Sequence, residues 1–196
     1  MPTTTDRPKR LRTFVAIGLP QAIRQDISRR LTAPPVRSDK PIAVERLHLT
    51  LVFLGATLPS QLSSIQSAME TVARVTRRFE LSLQGVHAFP DERSPHTVWL
   101  GVSAEPQDLD RLRMLAAAVG RALQPLGFQE SPRDFTPHVT LSRPRSGSDG
   151  TRLLSALRPV FAERIGPMKV DSMALFNSET LPSGPRYTEL ATFPLG

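Results

Sequence analysis

The sequence has no cysteine, so neither a disulfide framework nor a thiolate metal site can organise it. No apolar run approaches the roughly 20 residues of a membrane span. The opening Met1 to Arg10 carries charge with no apolar stretch behind it, so no signal peptide is read there. A cytoplasmic protein is expected. Lysine is scarce: of 25 basic residues, 22 are arginine and only Lys9, Lys40 and Lys169 are lysine. Histidine is scarcer than the basic charge suggests, with only His48, His87, His96 and His138 in the chain. Tryptophan occurs once, as Trp99.

What is present fits a soluble globular chain. A length of 196 residues allows one domain, or at most two small ones, and 39% hydrophobic residues can fill an ordinary core. The formal charge of +7 favours polyanionic partners such as nucleic acid or nucleotides. The arginine-over-lysine skew also fits a GC-rich genome, so charge alone leaves that partner open.

Hydrophobic periodicity predicts an alternation of strands and helices. Residues 1–10 are expected to be a flexible tail. Leu11 to Leu19 is a first strand stopped by Pro20, and Gln21 to Leu31 a short helix ending before Pro34-Pro35. A strand over Leu47 to Leu54 closes at Gly55. Leu62, Ile65, Met69, Val72 and Val75 then recur at helical spacing. Strands over Phe79–Phe89 and Thr97–Val102 follow, and a helix marked by Leu109, Leu112, Leu115, Val119 and Leu123. The remainder predicts a short strand between Pro137 and Pro144, a Gly/Ser loop over 146–150 and a short helix near Thr151 to Leu157. Closing strands are expected over Ile165–Phe176 and Arg186–Phe193. Strands in antiparallel-looking pairs with helices between them make the class α+β rather than doubly wound. The expected fold is a duplicated two-lobed domain over residues 11–196. Each lobe is an antiparallel sheet with helices on its outer face, and a cleft lies between the lobes.

Two of the four histidines open nearly the same tetrad, His48-Leu-Thr-Leu51 and His138-Val-Thr-Leu141, 90 residues apart. Side chains alternate along a strand, so His48 shares a face with Thr50, and His138 with Thr140. If the lobes face each other, two imidazoles and two hydroxyls converge on one cleft. Imidazole titrates near neutral pH, so one ring can serve as base and the other as acid. Phosphodiester cleavage needs that division, and a nearby hydroxyl can hydrogen-bond a phosphate oxygen without adding charge. A lone strand histidine is usually a core or surface residue, and threonine is common in strands for its β-branching. It is the repetition that favours function. No third His, Cys or carboxylate clusters in sequence beside either tetrad, so no metal and no cofactor is expected.

The paired motif resembles the two-histidine (2H) phosphoesterase superfamily. The flanking segments Arg12-Thr-Phe-Val-Ala-Ile-Gly-Leu-Pro20, Leu47 to Gly55, Ala88-Phe-Pro90, Val98-Trp-Leu-Gly-Val102, Phe135 to Arg143 and Phe193-Pro-Leu-Gly196 are similar to the bacterial and archaeal RNA 2′,3′-cyclic phosphodiesterases, also called 2′-5′ RNA ligases. The resemblance covers about residues 11–196 and implies a metal-free enzyme that opens an RNA 2′,3′-cyclic phosphate to a 2′-phosphomonoester. His48 and His138 would be acid and base, in an order the sequence leaves open, and Thr50 and Thr140 the phosphate clamps. Ligation of 2′-5′ linkages is the reverse of the same chemistry.

The resemblance also places a phosphate- or base-contacting arginine at Arg143, five residues after His138, and Phe53 holds the matching place after His48. The two could bracket a nucleobase by stacking and cation–π contact. Strict alternation would put both on the face opposite the histidines, unless a bulge or strand end re-aims them. Trp99 is a further base-stacking candidate, its alternative being an ordinary core tryptophan. His87 and His96 have no motif around them, and His96 stands where the family often has a basic residue. The expected partner is RNA with 2′,3′-cyclic phosphate ends, bound by a monomer. Two readings compete: a phosphodiesterase for small cyclic nucleotides or 2′-5′ oligonucleotides, and a non-catalytic module that binds RNA ends. A binding module has no need of an acid and a base, which counts against the second.

Overall fold

A computed structural model describes residues 10–32, 41–129, 135–182 and 184–196. The expected tail over residues 1–10, all but its last residue, and the Pro34-Pro35 stop lie outside the described residues. The elements follow as β1 (Leu11–Gly18), α1 (Gln21–Thr32), β2 (His48–Thr57), α2 (Leu62–Val75), β3 (Phe79–Phe89) and β4 (Thr97–Ser103). After them come α3 (Pro106–Leu123), β5 (His138–Ser142), α4 (Gly147–Val160), β6 (Ile165–Val170), β7 (Ser172–Leu181) and β8 (Gly184–Pro194).

Among the described residues the eight strands form one sheet in the order β6-β3-β4-β5-β2-β1-β7-β8, and every neighbouring pair is antiparallel. The two lobes are thus four-stranded halves of one sheet, meeting where β2 pairs with β5 through Leu49 and Val139. Each half offers its tetrad strand at the seam, flanked by β1 on one side and β4 on the other. Helices α2 and α3 pack on each other; α2 covers β7 and β8, α3 covers β2 and β3, and α4 covers β3 and β4. Leu49, Leu51, Val139 and Leu141 are buried in the core that those helices close. The apolar members of both tetrads therefore anchor the seam, and burial of each such side chain contributes about 1.5–3 kcal/mol.

Four expectations change. The strand expected to close at Gly55 runs on to Thr57, because β1 pairs with it beyond the glycine, Thr13 against Gly55 and Leu11 against Thr57. The closing strand over Ile165–Phe176 is two strands broken at Asp171, because β6 pairs with β3 in one half while β7 pairs with β1 in the other. The chain crosses the molecule there, and no local pattern marks such a crossing. The segment over 146–150 belongs to α4 rather than to a loop. Ser146 caps the helix, its Oγ accepting from the Asp149 N–H at 3.2 Å. Gly150 serves close approach there, since a Cβ would collide with the Pro95 carbonyl. Val75 is 77% exposed rather than part of the α2 stripe. It ends the helix roughly 80° round from Ile65 at 100° per residue, and Ala73 is buried in its stead.

Candidate active site

A cleft of about 380 Å³ opens on the sheet face opposite the core residues of the tetrads. His48, Thr50, His138 and Thr140 all line it, as do Phe53 and Arg143. Six of the seven candidates from the sequence are thus brought together. Trp99 is not among the lining residues.

A bulge in each tetrad strand resolves the alternation problem at Phe53 and Arg143. In β1, Val15 and Ala16 are neighbours, yet they face Val52 and Thr50, so Leu51 is an extra residue in β2. In β4, Val98 and Trp99 are neighbours, yet they face Ser142 and Thr140, so Leu141 is the extra residue in β5. Burial follows: Leu51 and Val52 are both buried, and so are Leu141 and Ser142. The bulge returns the fifth residue to the histidine face, where Phe53 is 70% exposed. The Arg143 Nη1 donates to Thr97 Oγ1 at 3.3 Å, which holds the guanidinium at the cleft rim. A further repetition is that a glycine stands opposite each histidine, Gly18 against His48 and Gly101 against His138.

Both imidazoles are fixed in the same way. The Nδ1 of His48 lies 2.6 Å from the Arg46 carbonyl oxygen, and the Nδ1 of His138 lies 2.9 Å from that of Thr136. A carbonyl can only accept, so each Nδ1 carries the proton and Nε2 is the nitrogen left for exchange. Aromatic rings hold the orientation. Phe14 lies 4.9 Å from the His48 ring and Tyr187 meets it edge-on at 5.3 Å; Phe89 meets the His138 ring edge-on at 5.1 Å. Burial lowers the pKa of His48 from its ordinary 6.5; the Arg46 carbonyl opposes this, and positive charge on His138 and Arg143 lowers it further. Burial likewise lowers His138, the Thr136 carbonyl opposing and Arg143 adding to the fall.

Trp99 does not present a face to a ligand. It is 8% exposed, with Phe89 stacked on it at 4.8 Å, His87 at 4.8 Å and His138 at 5.6 Å. Its register partner is Thr140, so it forms the wall behind the second tetrad rather than a stacking platform. His96 is exposed and outside the cleft lining.

Sequence reasoning missed Phe14, Phe89, Tyr187, Arg12, Thr97 and Ser178, which also line the cleft. Arg12, Phe14 and Phe89 sit in segments that carry the family resemblance, and alternation along β1 puts Arg12 and Phe14 on one face. Tyr187 and Ser178 come from β8 and β7, far along the chain, and no local signal marks them. Among the described residues the cleft lining contains no aspartate or glutamate, and no group of three or more His, Cys, Asp or Glu is placed to hold a metal. The arrangement can bind an anion, donate a proton and accept one.

Known proteins are similar to most of the chain. The family model of the 2′-5′ RNA ligase superfamily matches residues 19–180. The RNA 2′,3′-cyclic phosphodiesterase of Archaeoglobus fulgidus is 34% identical over 93% of this chain and 99% of its own. The RNA 2′,3′-cyclic phosphodiesterase of Thermus thermophilus is 32% identical over 94% of this chain and 90% of its own. Among solved structures, E. coli LigT in complex with 3′-AMP superimposes with a TM-score of 0.70 at 27% identity, covering 95% of this chain and 99% of that one.

Proposed function

The chain belongs to the 2′-5′ RNA ligase superfamily, and on that footing we propose that it is an RNA 2′,3′-cyclic phosphodiesterase acting through His48 and His138. The observation that carries this reading is the matched pair of imidazoles, each with Nδ1 on a carbonyl two residues back, in a cleft that the described residues line without a carboxylate. Relatives similar over nearly their whole length carry that activity in their names.

One neutral imidazole takes a proton from water at Nε2 as the water oxygen attacks phosphorus. The other, protonated, delivers its Nε2 proton to the ribose O3′ as the P–O3′ bond breaks. The product is a 2′-phosphomonoester with a free 3′-hydroxyl. The Thr50 and Thr140 hydroxyls hydrogen-bond the non-bridging phosphate oxygens. Arg143 adds positive charge, and its planar guanidinium suits bidentate contact with phosphate. Phe53 offers a ring face to the base of the terminal nucleotide. If a 5′-hydroxyl replaces water, the same step makes a 2′-5′ linkage. Both halves of the cleft come from one chain, so this reading takes residues 11–196 as one catalytic unit acting as a monomer on RNA ends in the cytoplasm.

The test is incubation with a 2′,3′-cyclic nucleotide and identification of the product isomer. A 2′-phosphate supports the reading; a 3′-phosphate reverses the assignment of the leaving oxygen; no turnover removes the activity.

A further inference from the structure

A second cavity of about 510 Å³ lies against the first, across the His48 ring. The two share Phe14, His48 and Tyr187 as a common wall. The volume is in the range of small-molecule sites, and nothing in the hydrolysis of a terminal cyclic phosphate requires it.

Its chemistry differs from that of the cleft. Among the described residues the cleft has cations and hydroxyls and no carboxylate, as an anion site should. The second cavity mixes Arg24, Arg46 and Lys169 with Glu45, Asp171 and Glu189. Among the described residues none of those three carboxylates is in an ion pair. Carboxylates repel phosphate but accept hydrogen bonds from hydroxyl and amino groups. Aromatic faces are also present: Phe176 lines the cavity, and its ring lies 5.3 Å from that of Phe14. A neutral, flat ligand bearing hydroxyls and N–H donors fits that mixed lining.

We propose that this cavity is the subsite for a second nucleoside, the one that supplies or receives the 5′-hydroxyl of a 2′-5′ phosphodiester. The proposal rests on the phosphodiesterase reading above and extends it to a defined dinucleotide substrate. With both cavities filled, the phosphorus sits in the cleft and the 5′-oxygen lies on the His48 side. In cleavage, the vicinal 3′-hydroxyl attacks phosphorus and loses its proton to one imidazole. The P–O5′ bond breaks and the 5′-oxygen takes a proton from the other. The products are a 2′,3′-cyclic phosphate and a nucleoside with a free 5′-hydroxyl, and ligation is this step reversed.

Gly18 lines the second cavity and not the cleft, and a Cβ built there meets nothing within 4 Å. Gly18→Leu therefore puts a side chain into the cavity, and Glu189→Ala removes one of its acceptors from an exposed position on β8. The measurement is kcat and KM on adenosine 2′,3′-cyclic phosphate and on the 2′-5′-linked diadenosine monophosphate. Both variants should hydrolyse the cyclic mononucleotide within about twofold of wild type. Gly18→Leu should lose at least tenfold in kcat/KM on the dinucleotide, and Glu189→Ala several-fold, chiefly in KM. Wild-type dinucleotide cleavage by both variants, or equal losses on both substrates, overturns the subsite. A wild-type enzyme active on the cyclic mononucleotide but not on the dinucleotide overturns it too, while leaving the phosphodiesterase reading intact. Inactivity of the wild type on the cyclic mononucleotide removes both.

Discussion

At the scale of single residues, the proposed chemistry rests on two imidazoles whose proton affinities are set by their surroundings. Either His48→Ala or His138→Ala should slow the chemical step by roughly 10²–10⁴-fold, and the double variant should lose less than the product of the two. Near wild-type single-turnover rates from a folded single variant would take that residue out of the assignment. Burial and neighbouring positive charge lower both rings from 6.5, so both limbs of the pH profile of kcat/KM should lie on the acid side of an ordinary imidazole pair. Bound cyclic phosphate brings a negative charge that raises both rings, so the profile of kcat should sit at higher pH than that of kcat/KM. Arg143 lowers both histidines, which gives it a signature beyond binding. Arg143→Ala should move the kcat/KM profile toward alkaline pH and cost one to two decades at the optimum, the equivalent of roughly 1.5–3 kcal/mol for a charge-assisted contact. Arg143→Lys keeps the charge and should keep the profile in place while failing to restore the rate. An unmoved profile in the alanine variant would confine Arg143 to the general basic field.

The decisive element is the tetrad strand with its bulge. Without the extra residue at Leu51, strict alternation would turn Phe53 into the core and leave Val52 in the cleft. The same holds for Leu141, Ser142 and Arg143 in β5. A one-residue insertion thus decides whether the fifth position after each histidine faces the cleft or the helices. Phe53 supplies little to the core at 70% exposure, so Phe53→Ala should leave the Tm nearly unchanged. It should weaken nucleotide binding by about 1–3 kcal/mol if a base stacks on the ring. Thermal melts paired with KM on a cyclic mononucleotide separate the two effects, and an unchanged KM would leave Phe53 without a role in the site.

At the scale of the whole molecule, one antiparallel sheet brings residues from positions 12 to 187 to a single cleft. Among the described residues its lining offers imidazole, hydroxyl and guanidinium but no carboxylate, a poor donor set for a divalent cation. Activity should therefore persist in excess chelator, and loss of turnover restored by a divalent ion would contradict the two-histidine chemistry. Much of this was legible in the chain. The tetrads themselves mark the histidine and threonine faces through the two-residue period of a strand, and α2 and α3 are marked by the 3.6-residue period of their apolar residues. Those are local rules, and local sequence determines what obeys them. What the chain could not show depends on contacts between distant segments. The break at Asp171 exists because β6 and β7 pair in opposite halves of the sheet. Trp99 becomes a wall because Phe89 and His87 cover it. Tyr187 reaches His48 only because β8 follows β7 beside β1, and the bulges are defined by register against β1 and β4. Periodicity along one strand determines which face a side chain takes, whereas pairing between strands decides what that face meets.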